Sequence, residues 1–204
     1  MKKRASTFFA FLCLFLVLTG LGTSTVESAV SADIYGKVLR LHVIANSDSD
    51  FDQKLKLKVR DGILGVTQEL FSDCKNVDLA LETANKNIKV IEDSAKKILL
   101  ENGFFGNVKV VLGKEMYPPK KYGSFTFPKG EYLSVRVLIG EAAGKNWWCV
   151  LFPPLCNAGI DEGAKVLEAY GLNKKEIEAL QRDDDKYTIE LFGCKIKFKI
   201  LEYF

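Results

Sequence analysis

The sequence predicts an α/β protein of the α+β type, with one mixed β-sheet and helices packed on it in two layers. A nearly continuous apolar run over 37–45 is typical of a strand that is buried on both faces. Two segments with helical periodicity follow this run. The second half of the chain then carries short β-branched runs bounded by glycine or proline. A central strand, flanked by further strands and covered by helices, accounts for all three observations.

Two helices are predicted after the first strand. Short polar side chains over 46–50 can cap the first helix, because they accept hydrogen bonds from the free N–H groups of a first turn. Its apolar face comprises Leu55, Val59, Ile63, Val66 and Leu70. The second helix is expected over 77–102, where apolar residues recur at steps of three and four, and Gly103 is placed to end it.

The remaining elements are mostly strands. Strands are predicted over 107–113, 131–140 and 147–152. The segment 114–130 is predicted to be a loop, because it contains three prolines and four aromatic residues. A helical region is expected over 161–180 with an interruption near Gly171. The last predicted element is a β-hairpin with its turn at Gly193-Cys194.

Residues 1–32 are predicted to be a signal peptide. A basic start precedes an apolar run over 8–18, which is short for a membrane span of about 20 apolar residues. The small residues of Val30–Ala32 favour cleavage after Ala32, and an uncleaved N-terminal anchor is the alternative. In both cases residues 33–204 are expected to form a single exported domain, and the membrane is contacted only through the signal peptide.

The charge of the predicted domain gives no indication of nucleic-acid binding. Residues 1–32 contain three cationic residues and one acidic residue, so their removal lowers the formal net charge from +3 to +1. Domains that bind nucleic acid usually carry a strongly basic patch. We therefore expect no nucleic-acid partner.

No complete catalytic or metal site is evident in the sequence. His42 is the only histidine, and a strand histidine held by one or two hydrogen bonds explains it better than a zinc ligand or a catalytic base. The acidic residues over 48–52 resemble the start of a calcium loop, but the required glycine and the final glutamate are missing. His42 and Asn46 are retained as a possible secondary site. No metal or cofactor is predicted, and the protein is not expected to be an enzyme.

The strongest local signal is the segment WWCVLFPPLC over 147–156. Adjacent tryptophans on a strand point to opposite faces, so both cannot enter the same core. A double proline cannot complete ladder hydrogen bonds, which places the segment at a sheet end or edge. Large rigid side chains of this kind are typical of interfaces. The predicted partner-binding residues are Trp147, Trp148, Phe152, Pro153, Pro154 and Leu155.

Four cysteines follow the predicted signal peptide, and four cysteines allow three pairings. Cys149 and Cys156 bracket the double proline, which could reverse the chain and bring them within disulfide reach. Two buried free thiols are the alternative. Export permits a disulfide without requiring one.

Two motifs resemble the stage II sporulation protein R family of endospore-forming bacteria. The first is LRLHVIANSDS over 39–49, followed by LKLKVRD over 55–61. The second is GKNWWCVLFPPLC over 144–156. Tyr122-Gly123 and the segment 128–132 also fit the family in the same order. The resemblance thus covers most of the chain after the predicted signal peptide.

This resemblance implies a signalling role. Members of the family are made in the forespore and exported into the space between forespore and mother cell. There they trigger a membrane-embedded aspartic protease, stage II sporulation protein GA, which processes the precursor of sigma-E. The resemblance therefore implies a secreted protease activator whose partner is that protease.

Two alternatives remain open at the level of sequence. An exported Cys–His hydrolase would use His42 with Cys149 or Cys156, and it requires a free thiol within hydrogen-bond reach of the imidazole. A cell-wall or small-molecule binding module would require an apolar cleft that contains Trp147 or Trp148.

Overall fold

A computed structural model describes residues 33–156, 162–181, 188–191 and 194–197. The predicted signal peptide, residues 1–32, lies outside the described residues. In the part of the chain that is described, no helix is both long and apolar enough to cross a membrane.

The main sheet has four strands. They are β1 (Leu39–Ile44), β2 (Val108–Tyr117), β5 (Gly130–Ile139) and β6 (Asn146–Phe152). Their order across the sheet is β2-β5-β1-β6, and β1 lies parallel to β5 and antiparallel to β6. The first five residues of β1 are all buried, as expected for a strand covered on both faces. The predicted mixed sheet is therefore confirmed, and the tryptophan segment forms its edge strand β6.

Three helices cover one face of this sheet. They are α1 (Asp50–Leu70), α2 (Val77–Lys86) and α3 (Ile88–Glu101). Their apolar stripes pack with Leu41 and Val43 of β1 in the larger hydrophobic core. We call this side the helix face, and the side on which Arg40 and His42 lie the opposite face. The predicted packing of amphipathic helices on a sheet is confirmed.

The prediction of a single helix over 77–102 is wrong in one respect. Asn87 divides this segment into two helices, α2 and α3. The Asn87 side chain donates a hydrogen bond to the Thr83 carbonyl (2.8 Å), and its backbone N–H bonds to Thr83 and Ala84. Asparagine competes in this way for the carbonyls that a continuing helix would use. The apolar period runs on across the break, so the pattern alone does not show it.

Smaller elements cover one end of the opposite face. They are the hairpin β3 (Lys120–Tyr122) and β4 (Phe125–Phe127), with helices α4 (Gly163–Ala169) and α5 (Lys174–Gln181). Phe125 and Phe127 of the hairpin are buried in a second core with residues of both helices. These elements add a partial third layer to the two layers that were predicted. The predicted interruption near Gly171 is confirmed, since that glycine has a φ of 93° between α4 and α5.

The loop predicted over 114–130 is wrong. β2 continues through Lys114–Tyr117, which pair with residues 130–133 of β5, and only the prolines at 118 and 119 end the strand. Three of the four aromatic residues of the segment, Tyr117, Phe125 and Phe127, are buried, and Tyr122 is half-buried. Their burial compensates for a proline-rich sequence that would otherwise favour an irregular chain.

The C-terminal hairpin is present as β7 (Thr188–Leu191) and β8 (Cys194–Lys197). Its predicted turn is displaced by one residue, because Cys194 pairs with Leu191 in the ladder and therefore belongs to the strand. Glycine suits either central position of the tight hairpin turns, so its place in the sequence does not determine the register. The acidic run Asp183–Asp185 lies outside the described residues.

Polar groups hold the junction between β1 and α1. Ser49 caps α1 by accepting a hydrogen bond from the Asp52 N–H (3.2 Å). The Asp52 carboxylate in turn accepts hydrogen bonds from Ser47 Oγ (2.5 Å) and Asn46 Nδ2 (2.8 Å). Burial would raise the pKa of Asp52, but these hydrogen bonds outweigh burial and lower it. The ionised carboxylate therefore stabilises the folded state.

We expect Asp52→Asn to reduce the acid sensitivity of the fold. A pKa lowered by folding contributes stability above the unfolded value of about 3.9, and this stability is lost as the pH falls through the folded pKa. Thermal melts from neutral pH downward should show a shallower fall of Tm below about pH 5 in the variant. Parallel curves for the two proteins would contradict this role of Asp52.

Candidate partner-binding site

The two tryptophans of β6 lie on opposite faces of the sheet. Trp147 pairs in register with Val43, and it packs against the core on the helix face. The guanidinium carbon of Arg60 lies 4.9 Å from the centre of the Trp147 ring. Trp148 pairs with His42, and the two ring centres are 5.5 Å apart on the opposite face. Both tryptophans are half-buried, so each contacts a core and still leaves part of its ring accessible.

The turn after β6 is closely packed. Phe152, Pro153 and Leu155 are buried, and Pro154 is exposed at the apex. The Phe152–Pro153 peptide bond is cis, and the Leu155 N–H donates a hydrogen bond to the Pro153 carbonyl (2.7 Å). Of the six residues predicted to bind a partner, three thus form the interior of the turn. The accessible area comes from Pro154 and the two tryptophans.

A disulfide joins Cys149 to Cys156, with a Cα–Cα distance of 5.9 Å. This is the pairing that the sequence suggested, and it replaces the alternative of two free thiols. It links β6 to the end of the proline turn. Because each sulfur is bonded to the other, neither is available as the free thiol that the Cys–His hydrolase requires.

Replacing both cysteines, as Cys149→Ala/Cys156→Ala, should cost less than the ~2–4 kcal/mol typical of a disulfide. The loop is short and contains two prolines, so the unfolded chain is already restricted. Denaturant titration of the variant and the oxidised protein measures the loss. In the parent protein neither cysteine should react with a thiol reagent after denaturation without a reductant, and labelling of both would show that the bond is absent.

An apolar groove of about 420 Å³ lies beside this turn. Its walls come from α1, β6, the proline turn and α4, and include Leu64, Phe71, Leu151, Pro154 and Tyr170. Neither tryptophan lines it. The groove therefore does not provide the tryptophan-containing cleft that the small-molecule alternative requires.

His42 makes hydrogen bonds with both ring nitrogens. Nδ1 lies 2.9 Å from Glu115 Oε1, and Nε2 lies 2.9 Å from Asn146 Oδ1. Ser134 Oγ donates to the other oxygen of Glu115 (3.3 Å) and is itself bonded to the Tyr117 hydroxyl (2.6 Å). This is the histidine with satisfied hydrogen bonds that the sequence favoured. Glu115 could not be recognised as its partner, because it lies in the segment predicted to be a loop.

Asn46, the other residue of the possible secondary site, is not bonded to His42. Its Nδ2 donates to Asp52, and its Oδ1 accepts a hydrogen bond from the Glu141 N–H (3.0 Å). A side chain at Gly140, which has a φ of 55°, would place its Cβ 2.1 Å from Asn46 Oδ1. Asn46 thus joins the end of β1 to α1 and to the turn after β5. A functional role for His42 and Asn46 stays a prediction.

Arg40 is the feature of the site that the sequence pattern did not indicate. It is fully buried in an apolar strand, and its guanidinium carbon lies 4.3 Å from the Tyr117 ring centre and 4.9 Å from that of Tyr132. Its Nε donates to the Cys149 carbonyl (3.1 Å), and its Nη2 donates to the Tyr122 hydroxyl (3.0 Å). Arg40 therefore connects the central strand directly to the backbone of β6.

The tyrosines around Arg40 extend this connection. Tyr122 donates its hydroxyl to the carbonyl of Trp148 (3.1 Å), so both residues that follow Trp147 in β6 are held through their backbone. Burial raises the pKa of Tyr117, Tyr122 and Tyr132, which keeps their hydroxyls protonated and able to donate. The result is a rigid edge strand with a partly exposed aromatic surface. Among the described residues, no group of three His, Cys, Asp or Glu side chains could hold a metal ion.

Comparisons with known proteins agree with these features. The family model described as stage II sporulation protein R matches residues 35–162, a range that includes all of β1 to β6. Stage II sporulation protein R of Bacillus subtilis (strain 168) is 32% identical over an alignment of 208 positions, and the alignment covers 93% of each chain. No solved structure matches. The chain belongs to the stage II sporulation protein R family.

Proposed function

We propose that this protein is a secreted sporulation signal that activates a membrane-embedded aspartic protease, stage II sporulation protein GA. In this proposal the forespore exports the protein into the space between forespore and mother cell. The activated protease then processes the precursor of sigma-E. The protein acts by binding the outward-facing region of the protease, through the surface that includes β6 and the turn after it.

The observation that carries the proposal is the construction of β6. An edge strand with two half-buried tryptophans is held by Arg40, by Tyr122 and by the Cys149–Cys156 disulfide. A surface held in one conformation loses little entropy when a partner docks. Tryptophan is also among the residues that most often contribute strongly to binding. The family assignment supports a role in sporulation, and the rigid aromatic edge supports a binding mechanism.

The groups that an enzymatic alternative would use are engaged in the structure. Both nitrogens of His42 already have hydrogen-bond partners. The sulfurs of Cys149 and Cys156 are bonded to each other. The site therefore supports recognition better than nucleophilic catalysis.

Co-purification tests the proposed partner. Residues 33–204, produced with the disulfide formed, should be retained by detergent-solubilised protease. Lys97→Met provides a matched control, because Lys97 is exposed on α3 of the helix face and should not affect retention. If the unmodified domain is not retained while precursor processing still depends on it in cells, direct binding to the protease is contradicted.

A further inference from the structure

Part of the opposite face of the sheet is not covered by the β3-β4 hairpin, α4 or α5. Ile44, Leu138 and Val111 lie there in neighbouring strands, are half-buried, and pack against neither hydrophobic core. Ile44 pairs in register with Leu138, and Val111 pairs with Arg136. Trp148 adjoins them through its pairing with His42. We call these residues, together with Arg136, the open sheet face.

Arg136 lies at the centre of the open sheet face. It pairs in register with His42 on one side and with Val111 on the other. Its Nε is buried and has no hydrogen-bond partner, and no ion pair to its guanidinium is found among the described residues. An unmade hydrogen bond of this kind is destabilising and rare in native proteins. The described chain supplies no acceptor to this guanidinium, and an acceptor from outside would reach it through the two Nη nitrogens, which are not buried.

The acid on the same face is already engaged. Glu115 bonds to His42 (2.9 Å) through one oxygen and to Ser134 (3.3 Å) through the other. It therefore holds the imidazole beside Arg136 without neutralising Arg136 itself. A guanidinium beside apolar side chains, with an indole one strand beyond His42 on the same face, suits a segment that carries a carboxylate and a nearby apolar residue.

We propose that the open sheet face binds a carboxylate-bearing peptide segment of the protein partner. Arg136 takes the carboxylate through its planar pair of N–H donors, and Trp148 packs on an apolar side chain beside it. The inference rests on the proposed function for the identity of the partner. It deepens that function by naming the chemistry of the contact and by selecting the Trp148 side of β6.

Charge favours a peptide carboxylate over a phosphate-rich partner. Besides Arg136, this face carries Lys109, which pairs in register with Leu138, and it also carries the Glu115 carboxylate. Nucleic acids and anionic membranes are recognised by clusters of cations, whereas an acid among the ligands opposes them. A single carboxylate matches the guanidinium of Arg136, since Arg40, whose Nη1 also has no hydrogen-bond partner, is fully buried beneath the β3-β4 hairpin side and outside the open sheet face.

Arg136→Met is the decisive substitution, with Lys97→Met as the control for loss of one exposed cation. The Tm of Arg136→Met should equal or exceed that of the parent, because a buried donor without a partner is removed. Its binding to the solubilised protease should be at least tenfold weaker. Arg136→Lys should bind with intermediate affinity, since lysine keeps the charge but not the planar pair of donors. Equal binding by Arg136→Met and the parent would overturn the inference.

Substitutions in the protease provide a second test of the inference. One Asp→Asn or Glu→Gln change in the outward-facing region of the protease should reproduce the loss, and it should not add to the effect of Arg136→Met. If the parent domain fails to bind the protease at all, the proposed function falls and the assigned partner falls with it. If the parent binds the protease and the Arg136 variants bind equally well, the proposed function stands and this inference does not.

The alternative occupant of the open sheet face is an acidic run of the same chain. If Asp183–Asp185 occupied the open sheet face, Arg136→Met and a triple Asp→Asn variant of that run would both lower the Tm. The two losses would also fail to add when combined. That result would overturn the inference, and an unchanged Tm in the triple variant supports an external carboxylate.

Discussion

Arg40→Ala should lower the free energy of unfolding by about 3–5 kcal/mol, the range expected when a large buried side chain is deleted. Arg40 is among the largest fully buried side chains in the described part of the chain, and the centres of four aromatic rings lie within 5.6 Å of its guanidinium carbon. The substitution leaves a cavity, removes these cation–π contacts, and leaves the Cys149 carbonyl without its donor. Equilibrium unfolding in denaturant measures the loss.

Arg40→Met separates the contribution of side-chain volume to stability from that of the positive charge, because methionine fills part of the space but carries no charge. It should lose less stability than Arg40→Ala and more than the exposed control Lys97→Ala. Hydrogen exchange at the amides of β6 should increase in both Arg40 variants, since Arg40 and Tyr122 hold the backbone of that strand. If the free energy of unfolding of Arg40→Ala lies within about 1 kcal/mol of the parent value, the structural role of Arg40 and the four aromatic rings around it is contradicted.

Trp148→Ala should reduce processing of the sigma-E precursor by more than tenfold at protein levels well below those that saturate the protease with the parent, where processing is proportional to affinity. Truncating an interface tryptophan commonly costs more than about 2 kcal/mol of binding energy. Trp148 lies beside His42, which separates it from Arg136 on the face that we propose to be the interface. The measurement pairs precursor processing in cells with thermal melting and secretion of the same variant.

Trp147→Ala is the matched comparison, because the same residue type lies one position away on the helix face. It should lower the Tm through lost packing and lost contact with Arg60, and processing should fall only in proportion to that loss. If the two variants lose processing in the same proportion to their stability, β6 is structural. The interface would then lie elsewhere on the molecule.

The elements that could be predicted from the sequence are those with local signals. The apolar run of β1, the stripe of α1 and the edge position of β6 follow from periodicity, capping residues and the double proline. The adjacency of Trp147 and Trp148 was enough to place them on opposite faces. These features depend on neighbours within one segment.

The features that the sequence did not show depend on contacts between segments. Asn87 breaks a helix through side-chain hydrogen bonds that leave the apolar period unchanged. Residues 114–117 form a strand only because β5 pairs with them. The roles of Arg40 and Glu115 require partners 19 or more residues away in sequence, and residue type alone does not identify those partners. The open sheet face likewise exists only once the strand order is known.

In the function that we propose, the protein acts on the protease as a binding ligand. Titrating residues 33–204 onto a fixed amount of protease reconstituted with the sigma-E precursor tests this most directly. The initial rate of processing should rise with the fraction of protease that has bound the domain and reach a plateau when the sites are filled. Full activation by trace amounts of the domain, far below the amount of protease, would indicate turnover by an enzyme and would contradict the account.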